Sequence, residues 1–249
     1  MHPILFHLGP LTIYSYGAML ALAVLVGLWI AQKEALRRKV DPDFMPTLAF
    51  WAVLAGLIGA RLAYVVVDWS HFASNPVEIL FIWDGGLTFY GAVILAVPVA
   101  LWLARRWRLP FGTVADLVAV AAAAGYPIAR IGCFLNGCCY GKPTNLPWAV
   151  AFPFDGIPRH PTQLYSSFAG LIIFLILWRW RSKESFPGEL ALLYLALYCV
   201  YRFFIEFFRV TPLVGSWLNL GQVASLILLG LTLVTWLVLR RRLGGKSGV

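Results

Sequence analysis

Residues 217–242 read WLNLGQVASLILLGLTLVTWLVLRRR: 23 residues without a charge, closed by three arginines. That length suits the roughly 20 residues an α-helix needs to cross a hydrocarbon core about 30 Å thick. Working outward, six further apolar runs stand at about 12–31, 47–67, 86–104, 114–133, 164–178 and 189–208. The run at 164–178 is the shortest. Composition agrees: 61% of the 249 residues are hydrophobic and 12% charged, with mean hydropathy +0.79, where a soluble domain carries about 25% charge. A water-soluble enzyme is excluded. The expected fold is an all-α membrane protein of about seven transmembrane helices, because a helix satisfies its own backbone in lipid.

The 20 Lys and Arg against 11 Asp and Glu give a net charge of +9, and their positions explain it. Fourteen flank alternate loops and the tail: Lys33, Arg37, Arg38 and Lys39; Arg105, Arg106 and Arg108; Arg179, Arg181 and Lys183; Arg240, Arg241, Arg242 and Lys246. The opposite side holds three, Lys142, Arg159 and Arg209. The positive-inside rule then puts the N-terminus outside and the C-terminus in the cytoplasm. Basic residues at span ends hold topology and touch anionic lipid, so no nucleic-acid partner is expected. Trp69, Trp83, Trp107, Trp148, Trp178, Trp180 and Trp217 fall near span ends and read as the ordinary interfacial belt. The first span lacks a basic leader and a small-residue cleavage site, so it is expected to be retained. Neither repeat nor linker divides the chain. One polytopic domain, 1–249, is expected, with an elaborated extracytoplasmic loop at about 134–163.

Three arginines remain, Arg61, Arg130 and Arg202, all inside apolar segments. There a charge costs at least about 2.5–3.5 kcal/mol on insertion scales. The topology puts all three in the outward halves of their spans, with Tyr16 and Tyr90 near the outer ends of theirs. Arg202 and Glu206 stand four apart in YRFFIEFFR and share a helix face, continued by Arg209. A structural ion pair explains those two alone. Three intramembrane arginines facing one carboxylate call for an anion, since Asp116 and Glu189 fall toward the cytoplasmic ends. A guanidinium stays charged and grips two phosphate oxygens at once, and a phospholipid head group is the nearest phosphate. Snorkelling to the interface is the rival account for Arg61 and Arg130.

Three segments gather on the outer side: WDGGLTFYG from Trp83 to Gly91, ARIGCFLNGCCYG from Ala129 to Gly141, and RHPTQLY from Arg159 to Tyr165. Taken singly they have ordinary readings. Gly85-Gly86 reads as a tight turn or close packing, and Thr162 as an N-cap of the fifth helix.

In this order, with Gly9-Pro10, Tyr16-Gly17, RFFIEFFR and Gly221-Gln222, these segments resemble the bacterial prolipoprotein diacylglyceryl transferases over nearly the whole chain. The resemblance implies a seven-span enzyme of the bacterial cytoplasmic (inner) membrane. It would move a diacylglyceryl group from phosphatidylglycerol to the lipobox cysteine thiol of a prolipoprotein signal peptide, forming a thioether and releasing glycerol phosphate. Arg130 matches the family's signature arginine, implied to bind phosphatidylglycerol. Arg202 and Glu206 match its functional pair, and Tyr16 a functional tyrosine. Tyr90 stands where the family commonly has a histidine proposed as base, so Arg130, Arg202, Glu206 and Tyr90 are the candidate catalytic residues. A phenol of free pKa about 10 is a poor base, and Glu206, His160, a water, or acidification of the thiol by arginine are the alternatives. Substrate-binding candidates are Arg130, Tyr16, Arg61, Gly86, Asn136, Gly141, Arg159, His160 and Gln163. Cys133 replaces an asparagine of the common pattern, and Cys138 an occasional glutamate.

The cysteines lack a CxxC pair, and adjacent cysteines do not readily chelate one tetrahedral ion, so neither metal nor cofactor is expected. Small apolar packing residues, or a disulfide on an oxidising face, describe them instead. The rival to the enzyme is a phospholipid-binding or transport protein using the same arginines. It would show inverted repeats or broken helices, for which Gly125-Tyr126-Pro127 is a candidate break.

Overall fold

The computed structural model describes residues 1–8, 11–82, 85–153, 156–211, 213–214 and 218–243. Gly9, Pro10, Trp83, Asp84, Trp217 and Lys246, named above, lie outside the described residues. Eight α-helices are described: α1 (Ser15–Arg37), α2 (Phe44–Val67), α3 (Trp69–Ser74), α4 (Phe89–Arg106), α5 (Phe111–Asn136), α6 (Thr162–Trp180), α7 (Glu189–Ile205) and α8 (Leu220–Leu243). A 3-10 turn, Glu206–Phe208, continues α7. All but the short α3 are long and apolar enough to cross a membrane, which gives the seven expected spans. Only 17–50% of each span's apolar window is buried by protein. Side chains such as Val67, Phe168 and Val66 therefore stay outward, where lipid rather than water suits them.

Two boundaries differ from the hydropathy reading. Residues 11–14 are not helical: strand β2 (Leu11–Tyr14) pairs antiparallel with β1 (Ile4–Leu8), and α1 begins only at Ser15. The segments ILFHL and LTIY are rich in strand-forming side chains. The Ser15 amide donates to the Pro3 carbonyl at 2.9 Å, which closes the hairpin onto the helix start. The supposed break at Gly125-Tyr126-Pro127 lies inside an unbroken α5. There the Ser167 hydroxyl donates to the Pro127 carbonyl at 2.9 Å. Short ladders β3 (Val150–Ala151) with β4 (Pro158–Arg159), and β5 (Leu213–Val214) with β6 (Leu218–Asn219), shape the loops before α6 and α8.

Packing divides the chain into two compact units, Met1–Ala31 with Ala115–Val249, and Gln32–Val114. In the larger, Ile30, Val120, Ala123, Ala124, Ile173, Leu177 and Leu190 from α1, α5, α6 and α7 form one core. Asp116, fully buried, accepts the backbone amides of Gly188 at 2.8 Å and Ala191 at 2.9 Å. A carboxylate from α5 thus caps the N-terminus of α7, where free amides and the helix dipole favour negative charge. In the smaller unit α2 packs on α4 through Gly59 and Gly91. A Cβ on either would stand 2.3 or 2.2 Å from the other's carbonyl oxygen, so only glycine permits this approach.

Candidate active site

Helix α5 ends in a way its sequence dictates. Gly137 takes the left-handed conformation at φ 75°, its amide bonds Phe134 O at 3.1 Å, and the Cys138 amide bonds Cys133 O at 3.1 Å. This is a Schellman turn, in which the amide of the residue after the glycine bonds back to the carbonyl five residues earlier, in the last turn of the helix. Here both are cysteine. Cys139 is also left-handed, φ 64°. Two adjacent side chains that would diverge in an extended chain are therefore turned to one side. The Sγ atoms of Cys133, Cys138 and Cys139 all lie within 4.8 Å of one another. The sequence reading weighed these cysteines by their spacing and by how poorly adjacent cysteines chelate one ion, and did not anticipate this proximity. The gathering comes from the helix cap, which a CxxC search does not sense. The turn is held from α6: Thr162 Oγ1 donates to Cys139 O at 2.8 Å, and buried Gln163 donates through Nε2 to Cys138 O at 2.6 Å. Thr162 is thus not an N-cap, and its hydroxyl serves the cysteine turn. The Cys139 thiol is held well below its ordinary range by hydrogen bonds from Cys133 and Cys138. The positive charges of Arg130 and Arg209 add to this, against an opposing effect of burial.

Glu206 forms the second centre. Its side chain is wholly buried and ion-paired with Arg202, one turn back on α7, whose side chain is 25% exposed. The other carboxylate oxygen accepts Thr211 Oγ1 at 3.0 Å and Asn219 Nδ2 at 3.1 Å. Asn219 reaches it because its own Oδ1 accepts the Gln222 amide at 2.9 Å while Gln222 Oε1 accepts the Asn219 amide at 3.1 Å. This reciprocal capping box starts α8. A Cβ at Gly221 would stand 2.9 Å from the Glu206 carboxyl carbon, so the glycine keeps room for it. Arg209 stands 3.9 Å from the same carboxylate.

On α5 the Arg130 guanidinium lies 4.8 Å from the centroid of the Tyr126 ring. Tyr126 O–H donates to Tyr201 at 3.1 Å, Tyr201 to Ser166 at 2.5 Å, and Ser166 to Thr162 O at 2.6 Å, a chain tying α5, α7 and α6 together. Tyr16, at the start of α1, meets the α5 backbone at Gly132, where a Cβ would stand 3.6 Å from its ring. Asn136 is the last residue of α5, exposed, directly before the cysteine turn. Gly141 is enclosed by Phe208 O, His160 and Thr162 and bridges to Arg209. His160 Nδ1 stands 3.4 Å from the Tyr165 hydroxyl, which also accepts Trp148 Nε1 at 2.7 Å. A cleft of about 680 Å³ opens between these loops, with Cys138, Cys139, Tyr140, Arg159 and Arg209 among its walls. Two guanidinium groups and two thiols in one cleft suit an anion beside a sulfur reaction.

The smaller unit holds Arg61, Gly86 and Tyr90. Arg61 is 7% exposed and donates to the carbonyls of Glu78, of Ile79 at 2.9 Å, of Gly85 at 2.8 Å and of Gly86 at 3.2 Å. Its charge is matched by carbonyl dipoles of a 3-10 turn (Pro76–Leu80) and the glycine pair. Among the described residues this gives Arg61 a task in shaping that loop, where the sequence suggested an unmatched charge. Gly86, φ 71°, has no room for a Cβ against Tyr64 and Arg61. Tyr90 is 79% exposed at the start of α4, beside Phe89.

A family model described as prolipoprotein diacylglyceryl transferase matches residues 3–238. The chain belongs to that family. A protein of Trichormus variabilis named phosphatidylglycerol-prolipoprotein diacylglyceryl transferase is 40% identical over 256 residues, covering 96% of this chain and 91% of its own length. Proteins of the same name from Nitratidesulfovibrio vulgaris and Bordetella bronchiseptica are 37% and 35% identical, covering 99% and 90% of this chain and 96% and 90% of their own lengths. Within this diacylglyceryl transferase chain, residue-by-residue reading overlooked Asn219, Thr211, Tyr201 and Ser166. The Asn219-x-x-Gln222 pattern was a visible helix-start signal for the first; the others carry none.

Proposed function

We propose that this chain transfers the diacylglyceryl group of phosphatidylglycerol to the lipobox cysteine of a prolipoprotein signal peptide. The thiol sulfur attacks the glyceryl carbon bound to the phosphate ester, and glycerol phosphate leaves. The observation that carries the reading is the Arg202-Glu206 pair, held rigid by Thr211 and Asn219, in a chain of this family with Arg130 two helices away in sequence. Arg130 and Arg202 hold the phosphate as it departs, charge that a guanidinium stabilises most when desolvated. Glu206 orients Arg202. One of its oxygens accepts Thr211 and Asn219 while the other faces the Arg202 charge, which suits a positioning carboxylate better than a proton acceptor. Arg159, His160, Asn136 and Tyr16 form the substrate surface around the cleft and the end of α5, and buried Gln163 and enclosed Gly141 support it from behind. Arg61 and Gly86 shape the loop before α4, and Tyr90 stays the candidate for proton transfer. The uneven flanking charge supports an N-terminus outside, a cytoplasmic C-terminus and a site toward the extracytoplasmic leaflet of the bacterial inner membrane.

Mass spectrometry of a lipobox peptide incubated with purified protein and phosphatidylglycerol tests this. A diacylglyceryl increment on cysteine, absent with Arg130→Ala, is the expected result. No increment despite bound lipid overturns the transferase in favour of a lipid-binding or transport protein. Tyr90→Phe with unchanged turnover from pH 6 to 9 removes the phenol from proton transfer.

A further inference from the structure

We propose that Cys133, Cys138 and Cys139 bind one Zn2+ as thiolates and leave its fourth position open to the cleft for the acceptor thiol. The identity of that fourth ligand rests on the transferase reading; the metal site itself does not. Three observations carry it. First, the sulfurs already lie within 4.8 Å of one another, where a tetrahedral zinc with Zn–S about 2.3 Å needs S···S about 3.8 Å. About 1 Å of side-chain adjustment closes the difference. Second, the cluster is built rather than accidental. The Schellman turn at Gly137 and the left-handed Cys139 aim the sulfurs together, and Gln163 and Thr162 pin the two carbonyls of the turn from α6. Third, access is graded: Cys133 is buried, Cys138 half-buried, and Cys139 exposed at the cleft wall. That leaves one face of the trio for an incoming ligand, the pattern of three protein ligands plus an open site that catalytic zinc adopts. Arg209 and Arg159 on the same cleft wall offset the negative charge of a tris-thiolate zinc.

The chemistry also disposes of the acceptor thiol's proton. Zinc binds a thiol as its thiolate, so the proton goes to solvent on coordination and no base is needed later. A sulfur lone pair of the bound thiolate then forms the S–C bond as the C–O bond to phosphate breaks, and the electron pair leaves on the glycerol phosphate oxygen. Zinc stays divalent throughout. The thioether product is a neutral, weaker ligand and departs. A free thiol of pKa about 8.5 is only about 3% thiolate at pH 7, so coordination is worth up to about 30-fold in reactive sulfur.

The test uses full-length protein in detergent, metal-stripped and reloaded with Zn2+ or, as a spectroscopic probe, Co2+. One metal per chain is expected, with a thiolate-to-cobalt charge-transfer band that shifts on adding lipobox peptide and not its Cys→Ser analogue. Cys139→Ser, at an exposed position, is expected to lower metal affinity by more than the roughly 10- to 100-fold that loss of an outer-shell partner costs, and Cys138→Ser likewise. Cys133→Ser is the third arm, read only if its helix content matches wild type. Stripping is expected to cut diacylglyceryl transfer about 10- to 30-fold, restored by Zn2+. The zinc site is overturned by less than one-tenth equivalent of metal, by a Cys133-Cys138 disulfide in its place, or by uptake of Cu(I) alone; a band blind to the peptide thiol overturns the acceptor thiol as its fourth ligand. Metal-free protein that transfers at full rate overturns the zinc and leaves the transferase standing. Protein that loads metal and takes the peptide thiol yet modifies nothing leaves the site standing and overturns the transferase.

Discussion

Replacing Glu206 by Gln changes one atom in a wholly buried carboxylate and is the sharpest probe of the Arg202 mount. One oxygen is ion-paired with Arg202; the other accepts Thr211 and Asn219. An amide has one oxygen and one NH2, so whichever way it turns, an N–H group faces a donor. If the NH2 faces Arg202, a charge-assisted bond worth about 1.5–3 kcal/mol is lost and the guanidinium meets a donor. If it faces Asn219 and Thr211, at least one buried donor goes unmatched at about 1–3 kcal/mol, and the Arg202 charge loses its counter-ion. Taking the lower part of each range, because Arg202 is 25% exposed and solvent screens it, gives about 2 kcal/mol for either orientation. For a chain of this size that is a fall of about 4–8 °C in Tm. Tryptophan fluorescence melts in detergent measure it, with Arg202→Met and the double variant completing a cycle. The expected coupling is at least about 1.5 kcal/mol. A Tm within about 1 °C of wild type, or additive single changes, would refute the buried pair as the support of Arg202.

Other outcomes follow from the same geometry. Arg130→Ala and Arg202→Ala are each expected to lower diacylglyceryl transfer about 10²- to 10³-fold, the usual cost of removing one donor from a developing anion. Arg61→Ala, which strips donors from four carbonyls, is expected to lower Tm more and transfer less; the reverse order removes Arg61 from its loop-shaping role. Asp116→Ala leaves the Gly188 and Ala191 amides without their carboxylate and is expected to cost about 2–3 kcal/mol, or about 5–10 °C in Tm. Asp116→Asn is expected to lose about half of that, with transfer per folded molecule unchanged; an unaltered melt for both refutes the cap. In metal-stripped protein the lowered Cys139 pKa keeps its thiolate present below the free-thiol range. Its alkylation rate is expected to rise less from pH 6 to 8 than the roughly 80-fold gain of a free thiol. A free-thiol profile there rules out the depression.

Seven spans were legible because membrane burial writes itself as length and apolarity, which need no tertiary knowledge. The same rule misplaced the start of the first span, since Leu11–Tyr14 is as apolar as a helix end yet pairs as a strand. Arg202 with Glu206 was legible as a helical i,i+4 pair; Asn219 and Thr211 were not, because they reach the carboxylate from other segments. Arg61 shows the limit of counting charges. Backbone carbonyls carry no formal charge and are invisible to such a count, yet four of them match this guanidinium. The thiol cluster was missed because spacing rules assume strands and turns, whereas here a helix cap sets the distance.

The cap from Asp116 to α7 has a consequence in time. Asp116 leaves the ribosome 72 residues ahead of Gly188, about 4–14 s at ordinary rates of synthesis. Through that interval α5 carries a carboxylate whose two amide donors do not yet exist. The joint between the fourth and sixth spans is therefore made only once the sixth has been synthesised, and a nascent chain halted before residue 188 lacks it.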